Sequence, residues 1–259
     1  KICKRHGAML VEYAAEALGA VYKGTQTGVF GDFNAVSFNG NKIITGSSGG
    51  MFLTDDGEAA KRVRKWSTQA REIASWYQHE ELGYNYRMSN VIAGVVRGQI
   101  PYLEEHISQK KAIYLRYKEA FEKAGLPVEM NPYDKENSEP NFWLSCLLIK
   151  PVYIRESGKS CPTEILEALT KYNAEGRPIW KPMHMQPFYR MNPFVTRYGN
   201  GRGKTDAYTD GRIGAALGKD ELLLDVGADI FERGLCLPSD NKMSKADMDK
   251  VCEIVKRCF

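Results

Sequence analysis

Ser37-Phe38-Asn39-Gly40-Asn41-Lys42-Ile43-Ile44-Thr45-Gly46-Ser47-Ser48-Gly49-Gly50-Met51 decides how the rest of the chain is read. An apolar strand, Ala35 to Phe38, runs into a short polar turn. Lys42 and two β-branched residues follow, then a glycine-rich reversal and a second strand, Met51 to Thr54. That order predicts a hairpin-like corner with one lysine at its tip. Ile43 and Ile44 predict a partly desolvated side chain for Lys42, and desolvation favours the neutral amine that makes a Schiff base. Ser37, at the strand end, can point a hydroxyl at a phosphate. Most lysines are solvated surface charges, and a serine so placed is a weak pattern alone, so the reading rests on the surrounding chain.

The surroundings are those of a globular protein. The chain has 259 residues, enough for one large or two modest domains, with 43% hydrophobic and 26% charged residues. The formal net charge is +4, with Lys and Arg spread along the chain. No basic block suggests nucleic acid, and no apolar run approaches a membrane span. Cys3, Cys146, Cys161, Cys236, Cys252 and Cys258 form no C-x-x-C pair and no paired spacing with the histidines. Zinc is not expected, and free thiols in a reduced, cytoplasmic compartment are.

Working outward, Ala8 to Glu12 reads as a buried parallel strand, with Ala14 to Leu18, in the run Ala14-Ala15-Glu16-Ala17-Leu18-Gly19, forming a turn or short helix at its C-terminal end. Open α/β sheets bind ligands outside the C-terminal ends of their strands. Gly57 to Ala70 has helical spacing with Asp55 or Asp56 as cap, and its Arg62, Arg64 and Lys65 read as a solvated face. Residues 71 to 82 read as a polar and aromatic loop, in which His79 is most simply an exposed loop histidine. Gly83-Tyr84-Asn85-Tyr86-Arg87-Met88-Ser89 leads into a helix capped by Ser89 or Asn90, a position suited to anion binding. A long amphipathic helix, Pro101 to Ala124, links to a second part holding a strand, Phe142 to Lys150, and a helix from Pro162. That part continues with Arg177-Pro178-Ile179-Trp180-Lys181-Pro182-Met183-His184, Gly234-Leu235-Cys236-Leu237-Pro238-Ser239 and a last helix opened by a capping box at Ser244. Residues 198 to 218 read as an inserted surface loop with no assigned function.

Five of these stretches, in this order, resemble the DegT/DnrJ/EryC1/StrS family of pyridoxal-phosphate (PLP) dependent nucleotide-sugar aminotransferases. They are the Lys42 segment, the run from Ala14, the run from Gly83, the run from Arg177 and the run from Gly234. The nearest likeness within the family is to the UDP-N-acetylbacillosamine-pathway enzymes. The resemblance implies an α/β fold, PLP-dependent transferase fold type I. Residues 1–100 would be the C-terminal part of the large PLP-binding domain, and 101–259 a linker helix and small α+β domain. It implies Lys42 as the catalytic lysine, with Ser37, Asn85, Tyr13 and Glu16 beside it around PLP. Asn85 would reach the cofactor phosphate of a second subunit, so a homodimer is implied. Arg177, Trp180, Lys181 and His184 would line the sugar-nucleotide pocket, although Trp180 and Met183 read equally well as core with the charges as rim. The implied reaction moves an amino group from L-glutamate to C4 of a UDP-4-keto-6-deoxy-N-acetylhexosamine.

Two departures from the pattern matter. Tyr13 stands where the family has the aspartate that keeps the pyridine nitrogen protonated, and a phenol does not supply that charge. Either Glu12 takes the role, although strand alternation points it the other way, or the protein is slow or inactive, or the residue is a changed one. The family's N-terminal strands have no counterpart, so the chain reads as a fragment or truncated copy that would expose a sheet edge and apolar surface. A non-catalytic relative, or a transferase for a GDP- or dTDP-linked keto-sugar, are the other readings.

Overall fold

The computed structural model describes residues 1–150, 162–189 and 226–259. The 198–218 loop lies outside them. In chain order they form α1 (Ile2–Arg5), β1 (Val11–Tyr13), β2 (Val21–Tyr22), β3 (Thr25–Gln26), β4 (Phe33–Ser37), β5 (Gly50–Leu53), α2 (Gly57–Ser67), α3 (Asn90–Gln99) and α4 (Leu103–Lys123). There follow β6 (Val128–Met130), β7 (Ser138–Glu139), β8 (Ser145–Ile149), α5 (Pro162–Thr170), β9 (Arg177–Pro178), α6 (Val226–Arg233), β10 (Gly234–Leu237) and α7 (Lys245–Lys256). No described helix is long and apolar enough to cross a membrane.

Two compact units result, Lys1–Ala112 with Pro132–Trp143, and Ile113–Asn131 with Leu144–Phe259. The boundary expected after residue 100 falls instead within α4, and 132–143 return to the first unit. Packing gives the reason. Leu103 and Ile107 lie against the first unit's buried cluster of Ala14, Val36, Phe38, Ile43, Ile44 and Val96. The Asn141 amide donates to the carbonyls of Glu16 and Leu18, at 2.8 and 3.0 Å.

The first unit is built on a three-stranded sheet in the order β1-β4-β5. β1 runs parallel to β4, with Tyr13 opposite Ala35, and β5 runs antiparallel, with Gly50 opposite Ser37. β4 buries alternate side chains, Asn34 and Val36. Asn34 is tolerated there because its amide is satisfied by Gly31 and by the Leu53 carbonyl. β1 corrects the expectation of a buried strand. It starts at Val11 and among the described residues pairs only with β4, so Val11 is 68% and Tyr13 77% exposed on the open sheet edge that the family resemblance implies. α2 starts where expected, with Asp56 accepting from the Glu58 and Ala59 amides, but none of its residues is buried.

The second unit is an antiparallel sheet, β6-β8-β10-β9, whose β10 is buried at all four positions. Leu147, Ile149, Ile165, Leu169, Leu235 and Val255 are wholly buried. Tyr117, also wholly buried, donates to the Pro238 carbonyl at 2.7 Å, and burial raises its phenol's pKa far above the usual range. The predicted capping box is present on α7. Ser244 Oγ accepts from the Asp247 amide, and the Asp247 carboxylate accepts from the Ser244 amide and hydroxyl. These bonds to Ser244, side chain first, hold the Asp247 carboxyl below its ordinary range. A depressed folded pKa means that the box stabilises above the ordinary carboxylate range, and that this is lost as pH falls through the depressed value. Asp247→Asn should therefore be less stable than the parent at neutral pH, and its acid-unfolding curve should converge with the parent's as pH falls below the ordinary carboxylate range. Parallel curves at every pH would contradict the assignment.

Candidate active site

The connection between β4 and β5 is held from three sides by backbone and side-chain bonds. Within it, Lys42 N–H donates to the Asn39 carbonyl, Phe38 N–H to Gly49 and Gly46 N–H to Phe38, at 3.0, 2.9 and 2.9 Å. From α3, the Gln99 amide binds the Thr45 backbone both ways, accepting from its N–H at 3.2 Å and donating to its carbonyl at 2.6 Å. From α4, His106 Nδ1 lies 3.2 Å from the Ile43 carbonyl. Glycine is required at Gly46, where a Cβ would fall 2.6 Å from Ile92.

That frame turns Ile43 and Ile44 inward, and both are buried. Lys42 between the turn and this core has a side chain only 10% exposed, as its neighbours predicted. Its amine has a partner: the Glu16 carboxylate, from the turn after β1, makes an ion pair and hydrogen bond with Nζ. The face of the Trp143 ring lies 4.6 Å from the same nitrogen. The structure thus brings Lys42 and Glu16 together. Ser37 stands at the end of β4, where its hydroxyl accepts from the Asn39 amide at 3.2 Å.

Tyr13 is placed at the C-terminal end of the neighbouring parallel strand, so β1 and β4 point the same ends at this corner. Glu12, the alternative to the family's aspartate, is committed to backbone instead. Its two carboxylate oxygens accept from the Gly28 and Phe30 amides, at 2.7 and 2.8 Å, and fix the 27–31 loop. Glu12→Ala should leave both amides without that acceptor and destabilise the fold by roughly 1–3 kcal/mol. Urea unfolding measures this, and an unchanged midpoint would contradict it.

Asn85 is exposed, in a segment bridged to Thr68. The 71–82 loop before it is tied by Lys65, whose amine binds Glu72 at 2.5 Å and Glu81 at 2.8 Å. His79 has a local partner, the Gln69 carbonyl at 2.8 Å. In the second unit, Arg177 on β9 is ion-paired with Glu175 at 2.8 Å. Trp180 and Met183 are 59% and 62% exposed, which rules out the core reading for both. Lys181 and His184 lie in the same stretch, His184 within a short 3-10 turn. Sequence reasoning missed Asn141, Trp143, Gln99 and His106, all of which hold the corner through bonds distant in sequence. An asparagine and a tryptophan just before the apolar strand were the only local signal.

The donor set fits PLP at two of its ends. A shielded amine and carboxylate suit its aldehyde and ring hydroxyl, and a strand-end hydroxyl suits its phosphate. At the end of β1 the chain carries the phenol of Tyr13, which supplies no carboxylate charge for a ring nitrogen.

Residues 1–200 match the model of the DegT/DnrJ/EryC1/StrS aminotransferase family. EpsN of Bacillus subtilis (strain 168) is 37% identical over all of this chain and 58% of its own length. The GDP-perosamine synthase of Caulobacter vibrioides is 29% identical over 97% of this chain and 59% of its own. A DegT DnrJ EryC1 StrS aminotransferase from Brucella abortus superposes with a TM-score of 0.75 at 21% identity, covering 99% of this chain and 58% of that one. The chain thus spans about three fifths of the length of these proteins, and the shared part contains the lysine corner and the fold around it. A shielded lysine between a parallel and an antiparallel strand, the match of most of the chain to one family model and the shared architecture lead to one assignment: this chain belongs to the DegT/DnrJ/EryC1/StrS aminotransferase family.

Proposed function

We propose that the protein is a PLP-dependent aminotransferase acting on a nucleotide-linked keto-sugar, with Lys42 as its catalytic residue. The observation that carries this is the Lys42 amine, enclosed and paired with Glu16 at a corner fixed from both α3 and α4. When bound, PLP supplies an aldehyde for covalent attachment of amines and a ring that withdraws electrons. Lys42 would be the amine that holds the cofactor at its aldehyde and would carry a proton to and from the reacting carbon. Glu16 orients that amine and keeps a hydrogen-bond acceptor beside it. Ser37 and, from a second subunit, Asn85 bind the phosphate, so the working form is a homodimer. The five described cysteines are free, which suits a reducing, cytoplasmic setting.

We take L-glutamate as donor and a UDP-4-keto-6-deoxy-N-acetylhexosamine as acceptor, aminated at C4, with Arg177, Trp180, Lys181 and His184 as its contacts. The exposure of Trp180 supports this, because an indole at the surface offers apolar area to a base or sugar. A GDP-linked keto-sugar is the second reading, because the Caulobacter relative is a GDP-perosamine synthase. Turnover of UDP-, GDP- and dTDP-linked 4-keto-sugars with glutamate, in the intact protein, separates them. UDP-selective amination supports the proposal; GDP-selective amination replaces the acceptor, and no amination of any acceptor overturns the function.

A further inference from the structure

Asn141-Phe142-Trp143 forms a brace over the lysine corner. Asn141 is 6% exposed and donates its amide to the carbonyls of both Glu16 and Leu18, while its Oδ1 accepts from the Trp143 N–H at 3.1 Å. Phe142 is a buried non-glycine residue in the left-handed region, at φ 50, a conformation that costs energy and persists only where its surroundings impose it. Its ring is held edge-on by Tyr133, with centroids 5.4 Å apart. The reversal at Phe142 brings the Trp143 side chain back onto the turn before Lys42. There the indole N–H donates to the Asn41 carbonyl at 2.6 Å, and the ring faces the Lys42 amine. One tripeptide therefore contacts both members of the ion pair, Glu16 through its backbone and Lys42 through its amine and the residue before it.

We propose that Trp143 is a positioning residue for Lys42, with Asn141 setting its angle. The ring shields one side of the amine and attracts its charge, and the indole N–H fixes the height of the turn. The amine is then free to exchange partners only on the side of Glu16 and the strand ends. A left-handed residue between two anchored side chains is the arrangement expected where strain is retained for placement. The proposal rests on Lys42 being the reactive amine, but its test reads the geometry alone.

The experiment compares amine acetylation of Lys42 with that of Lys118 on α4, by peptide mass spectrometry of the intact protein without added cofactor. Wild type, Trp143→Phe, Trp143→Leu and Asn141→Ala are each checked for a cooperative melt. The proposal expects the Lys42-to-Lys118 labelling ratio to rise at least fivefold in Trp143→Leu. It expects a smaller rise in Trp143→Phe, which keeps an aromatic face, though a smaller one, and loses the N–H, and a clear rise in Asn141→Ala. A purely structural role would lower the melting temperature and leave the ratio and the Phe-against-Leu order unmoved. An unchanged ratio in the variants that fold overturns the proposal, as does an equal rise for Phe and Leu. Should Trp143→Leu not fold, the ratio in Trp143→Phe and Asn141→Ala decides by the same rule. Failure of the aminotransferase reading would leave these ratios untouched, so the two fail separately.

Discussion

Replacing Lys42 by Ala should lower transamination by about ten-thousand-fold or more, the upper range for removal of a positioned acid–base group. At 1.36 kcal/mol per tenfold, that is at least about 5 kcal/mol of lost transition-state stabilisation. The size follows from the enclosure of the amine. Its side chain is 10% exposed and Trp143 covers one side, so bulk amines and water have poor access to the same point. Lys42→Arg sharpens the test. A guanidinium keeps the charge opposite Glu16 yet neither bonds the aldehyde nor releases its proton. It should be as inactive as the alanine variant while melting within a few degrees of the parent. The ion pair itself contributes little to stability, because Glu16 is 39% exposed and water screens the attraction. Initial rates with glutamate and a keto-sugar, beside melting curves, measure both. Activity within tenfold of the parent in either variant would remove Lys42 from the chemistry.

Tyr13→Asp should raise the transamination rate by about tenfold or more. The C-terminal ends of β1 and β4 lie together, with Tyr13 opposite Ala35 and Ser37 two residues further along β4. A carboxylate at Tyr13 would stand at the sheet end where the ring of a bound cofactor belongs. There it would favour a protonated ring nitrogen and so a better electron sink. Glu12 does not already fill that role, because its oxygens are taken by the Gly28 and Phe30 amides. Tyr13→Phe should match the parent, since the phenol hydroxyl is assigned no part. Rates for the three proteins in the intact enzyme decide it. A Tyr13→Asp protein no faster than the parent would mean that another group protonates the ring or that this step does not limit turnover.

Much of the fold was legible because its signals are local. The β4–β5 corner, the Asp56 and Ser89 caps and the Ser244 box each follow from residue types within a few positions of one another. The enclosure of Lys42 was legible in Ile43 and Ile44. What holds the enclosure was not. Gln99 on Thr45, His106 on Ile43, Asn141 on Glu16 and Trp143 on Asn41 are side-chain bonds to backbone atoms far along the chain. Such bonds leave no periodicity, and the residue types involved are ordinary in loops. The same holds for Glu12: alternation turns it from the face of Tyr13, but no local signal shows its partners, the Gly28 and Phe30 amides. β1 misled for a different reason. Its apolar run reads as buried, while burial depends on a second neighbouring strand, and among the described residues β1 has only β4. Domain limits were blurred by α4, a single amphipathic pattern whose two ends pack in different units.

The central claim is that the Lys42 amine bonds the cofactor aldehyde. Borohydride reduction of the intact protein after incubation with PLP, followed by peptide mapping, tests it most directly. The account predicts one pyridoxyl-modified peptide, containing Lys42, at near-stoichiometric yield and lost in Lys42→Arg. A Lys42 peptide left unmodified while the cofactor is bound, or labelling spread over surface lysines, would contradict it.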